Sequence, residues 1–321
     1  MTTRQISRRT FHRKTVASVG TALVAAPLSS RAVEKATADS PRQYIDMHTH
    51  LGQVWNTKET LTASGLLHFM DEHGIGQAVV LPLVSPESAS YPLSSEFVLG
   101  QTRRHSDRLI PFCCIDPRTS FDGGQAGLVE MLRRYKQAGA KGFGEHKPGV
   151  PVDDPRNMRL YEACAEVGLP VLFHLDSQRN TDRPGLPGLE KAVRANPNCQ
   201  FVGHGPGWWA SISGDATERD LGGYPKGKVT PGGAIDHLMD RYDNIYGELS
   251  AGSGANALAR DLDFAHAFLD RRQDRILFGT DFLSPGQHVP QFELFEEQLE
   301  LRSAVAEKVL RQNAQQLLSL E

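Results

Sequence analysis

Five side chains of this 321-residue chain have the types and the spacing to share a metal site. In Asp46-Met-His48-Thr-His50 two imidazoles stand two residues apart, so an extended strand projects both to the same side. Further on come Gly144-Glu145-His146-Lys147, Phe173-His174, Gly203-His204 and Gly279-Thr-Asp281. Imidazole and carboxylate are the donors that zinc and similar divalent ions take, and an ion with an open position brings water to a pKa of about 7. Taken singly, each is weak evidence. An H-x-H arises by chance, a lone strand-end histidine is ordinarily structural, and Asp281 could simply cap a helix. The weight lies in four histidines and one aspartate occurring together at comparable places.

Those places follow from the elements that must carry them. From residue 43 onward, short apolar runs alternate with amphipathic stretches: 44–47, 77–83, 109–115, 141–145, 170–175, 200–203, 244–249 and 275–279. Helical patterns such as 127–135 and 158–166 lie between them, and Gly74, Gly139 and Gly168 fall where helices should end. Eight strand-then-helix units predict a single (β/α)8 TIM barrel over residues 39–321. The alternative, an open doubly wound sheet, lacks a G-x-G-x-x-G after the first strand. Each candidate ligand lies at the C-terminal end of a predicted strand, where barrel enzymes hold their chemistry. The Gly/Pro-rich connection 205–231 is expected to fold over that mouth as a lid, with Trp208 or Trp209 as a pocket wall.

Bulk properties exclude other classes. The 35 Lys+Arg against 38 Asp+Glu leave a net charge of -3, with no broad basic surface for nucleic acid. No run past the N-terminus approaches the roughly 20 apolar residues of a membrane span. Cys113, Cys114, Cys164 and Cys199 form no C-x-x-C pair and read as small core residues. Ser7-Arg8-Arg9-Thr10-Phe11, a modest apolar stretch and Ala36-Thr-Ala38 read as a twin-arginine export signal over residues 1–38. The expected partners are therefore the twin-arginine machinery and a small-molecule substrate, the expected location is periplasmic or extracellular, and a homo-oligomer is compatible with the chain. The remaining histidines past the signal (His68, His73, His105, His146, His237, His266, His288) are expected to be solvated.

The order H-x-H, His, His, G-T-D resembles the amidohydrolase superfamily. Phe278-Gly-Thr-Asp281 and Leu169-Pro-Val-Leu-Phe-His174 resemble its branch holding aminocarboxymuconate semialdehyde decarboxylase and related hydrolases, over residues 41–321. The resemblance implies that His48, His50, His174 and Asp281 bind a divalent metal, with zinc expected, and that His204 lies beside the attacked group. Two-metal members use a bridging group on strand four. Glu145 stands close to that position, so it either joins a site of one or two ions or merely pairs with Lys147. The expected chemistry is hydrolysis of an ester, lactone or amide, with Asp281 taking the proton of water and His204 steadying the oxyanion. The alternative is non-oxidative decarboxylation of an unsaturated or aromatic acid. A barrel that binds without turnover ranks last, because no ligand is missing. Lys147, Arg179, Arg183, Trp208 and Trp209 are candidate substrate contacts, and Glu248 and Ser250 candidate supports for a ligand histidine.

Overall fold

The computed structural model describes residues 44–54 and 57–320, so the twin-arginine segment lies outside the described residues. Within them, each predicted apolar run overlaps a parallel strand: β1 (Tyr44–Thr49), β2 (Ile75–Val80), β3 (Leu109–Pro111), β4 (Phe143–His146), β5 (Val171–His174), β6 (Phe201–His204), β7 (Ile245–Glu248) and β8 (Ile276–Leu277). One ladder joins β1, β2 and β3, and a second runs from β4 to β8. Backbone bonds close the two gaps. The Lys141 amide donates to the Pro111 carbonyl at 2.9 Å, and that of Gly144 to Cys113 at 2.8 Å. On the other side, Met47 donates to Phe278 at 3.0 Å and Asp281 to His48 at 2.8 Å. The sheet is a closed barrel, as the alternation of elements predicts.

Strands buried on both faces explain the continuous apolar runs. One set of side chains, including Ile45, Met47, Val79, Ile110, Phe112, Leu172, Val202 and Leu277, fills the barrel with Ala314 and Leu318 of the last helix. A second set, including Phe173 and Phe201, packs outward against the helices. In helix Pro155–Val167 the signals are local: the Asp154 carboxylate caps the first turn, Pro155 opens it, and Gly168 ends it at a left-handed φ of 70°. All four cysteines are free and buried, in keeping with a packing role.

Two expectations fail here. Trp208 and Trp209 begin the connection after β6, in helix Pro206–Ala210, and both are fully buried in the core. Gly203 and Gly247 are register partners on adjacent strands, and a Cβ on either would reach Trp208 indole atoms at 2.4 and 3.0 Å. The paired glycines form a slot that the indole fills, edge-on to Phe173. Neither Trp faces the mouth as a wall: both side chains are buried in the core, where an aromatic removes a large apolar surface from water. His146 is buried, not solvated: its Nε2 donates to Asn157 Oδ1 at 2.9 Å, and burial lowers its pKa to about 4.

Candidate active site

At the C-terminal end of the barrel, the first question is where the imidazole protons sit. Pairing of β1 with β2 shifts register between Asp46 and Thr49, and His48 and His50 occupy the interior above Met47. The His50 Nδ1 atom lies 2.9 Å from the Leu81 carbonyl, which can only accept, so the proton is on Nδ1. His48 Nδ1 likewise faces Glu248 Oε1 at 2.9 Å. With both Nδ1 atoms donating, neutral rings direct bare Nε2 lone pairs at each other across 3.2 Å. Asp281 Oδ1 lies 3.5 and 3.6 Å from these two nitrogens. Glu145 Oε2 lies 3.8 and 3.5 Å from them, buried and without a hydrogen-bond partner among the described residues. Two ring nitrogens and two carboxylate oxygens thus converge on one place. A cation relieves this arrangement, and two nitrogens with two carboxylate oxygens form a donor set suited to zinc or a similar divalent ion.

A second group adjoins the first through Glu145. Its Oε1 meets His174 Nδ1 at 2.8 Å, Lys147 Nζ at 3.1 Å and His204 Nε2 at 3.7 Å. Burial alone would raise the Glu145 pKa, but Lys147 and the histidines hold it well below the usual carboxylate range. The other His174 nitrogen, Nε2, lies 2.8 Å from Asp176 Oδ2. Burial and Lys147 together lower the His174 pKa. The candidate donors fall into overlapping groups: His48 with His50 and Asp281, Glu145 with His174 and His204, and His48 with His204 and Glu248, which joins the other two. His174, expected beside Asp281, stands in the second set. Arg179 turns toward Asp176, 3.4 Å away, and Arg183 points to solvent.

Glu248 holds the two sets in register. It takes His48 on one side and His204 Nδ1 at 2.5 Å on the other, and it also accepts from the Ser250 hydroxyl and amide. Burial alone would lower the His204 pKa, but the charge and hydrogen bond of Glu248 outweigh it and the net shift is upward. Glu248 thus touches two of the candidate ligand imidazoles, His48 and His204, and Ser250 bonds both Glu248 and His204. Gly279 makes room for this carboxylate, since a Cβ there would lie 2.6 Å from Glu248 Oε2. The Trp209 indole donates to the Glu248 carbonyl at 2.9 Å, so the buried tryptophan braces the site from behind.

Two acids escaped the sequence reading. Asp46 Oδ1 accepts from the His48 and Thr280 amides at 3.0 and 2.9 Å, which ties β1 to the turn bearing Asp281. Burial raises its pKa to about 7. Asp176 orients His174 and gathers the Gln178 and Arg179 amides. The signal for Asp46 was its period-two spacing from both histidines. Asp176 has the same spacing from His174.

The amidohydrolase family model matches residues 45–320. No curated protein sequence matches the chain. Among solved structures, a TIM-barrel protein from Bordetella bronchiseptica superposes with a TM-score of 0.61 at 16% identity, covering 86% of this chain and 98% of its own. A probable 2-pyrone-4,6-dicarboxylic acid hydrolase from Acinetobacter baumannii, crystallised with citric acid, gives 0.56 at 13% identity, with 86% and 99% covered. A dihydroxybenzoic acid decarboxylase from Polaromonas sp. JS666, with manganese and 2-nitroresorcinol bound, gives 0.53 at 16% identity, with 86% and 97% covered. At these identities the likeness is one of fold.

Proposed function

This chain belongs to the amidohydrolase family, and from that premise we propose that it hydrolyses an ester, lactone or amide bond of a small molecule. One divalent ion, zinc by its donors, would be held by His48, His50 and Asp281, with Glu145 and His174 closing the side toward β5. The observation that carries the reading is the pair of Nε2 atoms 3.2 Å apart, each ring's Nδ1 turned outward to an acceptor, with two carboxylates beside them. When bound, such an ion would act as a Lewis acid and bring water to a pKa of about 7. The chain's own groups divide the remaining work. Asp281, whose side chain is 21% exposed where the other donors are buried, faces the mouth and takes the proton from water, then returns it to the leaving group. His204, held proton-rich by Glu248, donates toward the oxyanion from Nε2. Lys147, beside Glu145, offers a charge to an anionic end of the substrate.

Lys147 also favours a second reading, decarboxylation of an unsaturated or aromatic acid, because a cation at the mouth can hold a carboxylate. The fold is shared by the hydrolase and by the manganese-containing decarboxylase described above. Residues 1–38 are proposed to direct twin-arginine export, which replacement of Arg8 and Arg9 by Lys would block.

The test is metal analysis of the purified protein, then a screen of lactones, esters and amides beside dihydroxybenzoates. Labelled water entering the product supports hydrolysis. Release of carbon dioxide without consumption of water replaces it by the second reading. A chain with no bound ion and no metal-dependent turnover ends both.

A further inference from the structure

The long connection after β6 buries two tryptophans but leaves one large aromatic in solvent: Tyr224 is 51% exposed. Its backbone is fixed on both sides. At Gly222 a Cβ would meet Ser177 Oγ at 2.6 Å, so the chain passes hard against the loop that carries Asp176. One residue beyond Tyr224, the Pro225 carbonyl accepts from Asn256 Nδ2 at 3.0 Å, on helix Ala251–Ala259. Between these anchors the Tyr224 ring lies on Gly252, where a Cβ would come within 3.0 Å of it. A side chain at 252 would crowd the ring and make it shift. The neighbouring Ala251 amide reaches the Thr280 carbonyl at 3.4 Å, and Asp281 is the next residue. Tyr224 therefore overhangs the β7–β8 side of the mouth, while Lys147 stands on the β4 side. Burial and the charge of Asp281 both keep the phenol protonated, as a donor.

We propose that Tyr224 is a substrate-positioning residue, its ring a wall of the site and its hydroxyl a donor to an oxygen of the substrate. This rests on the reading of the barrel mouth as a metal-dependent active site. The class we assign by chemistry is a flat, oxygen-bearing molecule, which an aromatic wall and a phenol donor would recognise. The long connection thus contributes to the site through Tyr224, and its two tryptophans contribute only support.

The experiment uses 4-nitrocatechol, a coloured phenolate that chelates metal ions, titrated into the zinc-loaded full-length chain and followed by its absorbance shift. Tyr224→Ala should weaken binding about tenfold and Tyr224→Phe about threefold, the size of one lost hydrogen bond and part of a contact. Gly252→Ala, which pushes the ring aside, should weaken it in the same direction. Tyr242→Phe, whose hydroxyl bonds Glu190 away from the mouth, should bind as the parent does. Metal content and Tm should hold throughout. Equal binding by the parent and Tyr224→Ala overturns the assignment, as does a loss that merely follows Tm. A parent chain that takes up no zinc, or that leaves the probe spectrum unchanged once loaded, fails at the earlier step and overturns the reading of the site itself.

Discussion

The two halves of the site solve the same electrostatic problem in opposite ways. On the β7–β8–β1 side, each imidazole has its Nδ1 proton committed outward, to Glu248 or to the Leu81 carbonyl, and presents a bare Nε2. On the β4–β5 side, Glu145 Oε1 already has Lys147 and His174, and His174 has Asp176 as well. One half is acceptor-rich and lacks a cation. The other carries its own. A buried carboxylate without compensation is costly, and Glu145 Oε2, on the first side, has no hydrogen-bond partner among the described residues. On the proposed reading the contrast predicts one ion and not two.

The strongest way to break the contrast is to remove an acceptor from the deficient half. Asp281→Asn should lower kcat by about a thousandfold, as loss of a proton acceptor at the reacting centre does, and should weaken metal binding. Turnover within tenfold of the parent, at equal metal content, would show that Asp281 is not the acceptor. A sharper test works on the other half. Lys147→Ala leaves Glu145, His174 and His204 without their cation, and metal titration should then rise from one ion per chain toward two. A stoichiometry fixed at one would mean that the second group is closed for some reason other than Lys147.

Packing supplies the next test. Trp208→Ala empties the slot between Gly203 and Gly247 and should cost ~3–5 kcal/mol of stability, typical for a large aromatic lost from a core. Activity per folded molecule should stay within a few-fold of the parent. A loss of kcat/KM with Tm unchanged would return Trp208 to the pocket wall.

This case shows what the chain discloses before folding. The barrel strands are legible because burial on both faces makes each an uninterrupted apolar run, and the glycine after a helix marks its end. The polar strand-end residues are legible for the opposite reason, since His48, His50, Glu145, His174 and His204 interrupt those runs where water would otherwise be excluded. What no local pattern carries is partnership across the barrel. Gly203 and Gly247 stand 44 residues apart in the chain and become a slot only when β6 meets β7. Asp46 reads as one more residue of β1 until Thr280 arrives beside it. Tyr224 is an unremarked loop residue until Gly252 fixes where its ring lies. The fate of Trp208 was missed for the same cause: adjacency to His204 in sequence says how near the metal its backbone is, and nothing of which way the indole turns.

The smallest expected effect concerns how the β4 side is held from outside. Arg118 bonds Glu87 with two nitrogens at 2.7 Å and Asp116 from the same guanidinium, while Glu87 also accepts from the Gly149 amide, two residues after Lys147. This cluster links the loops after β2, β3 and β4. Burial raises the Asp116 pKa, but Arg118 and Ser85 outweigh it and bring the carboxyl down to about 2; Glu87 falls to about 2 chiefly through Arg118. The sign then follows. A carboxyl with a depressed folded pKa contributes stability that is fully present above its unfolded value near 4 and is lost as pH falls toward 2. Because Glu87 is about a third exposed, solvent screens its share, and the cluster should be worth only ~1–2 kcal/mol. The measurement is urea unfolding of the parent and of Arg118→Met between pH 6 and pH 2.5. The two curves should be separated by that amount at pH 6 and should converge toward pH 2.5, since the acid removes in the parent what the substitution removes at neutral pH. Curves that stay parallel would mean that Arg118 acts through something other than the ionised Glu87 and Asp116, and the ion-pair account of the β4 side would fall.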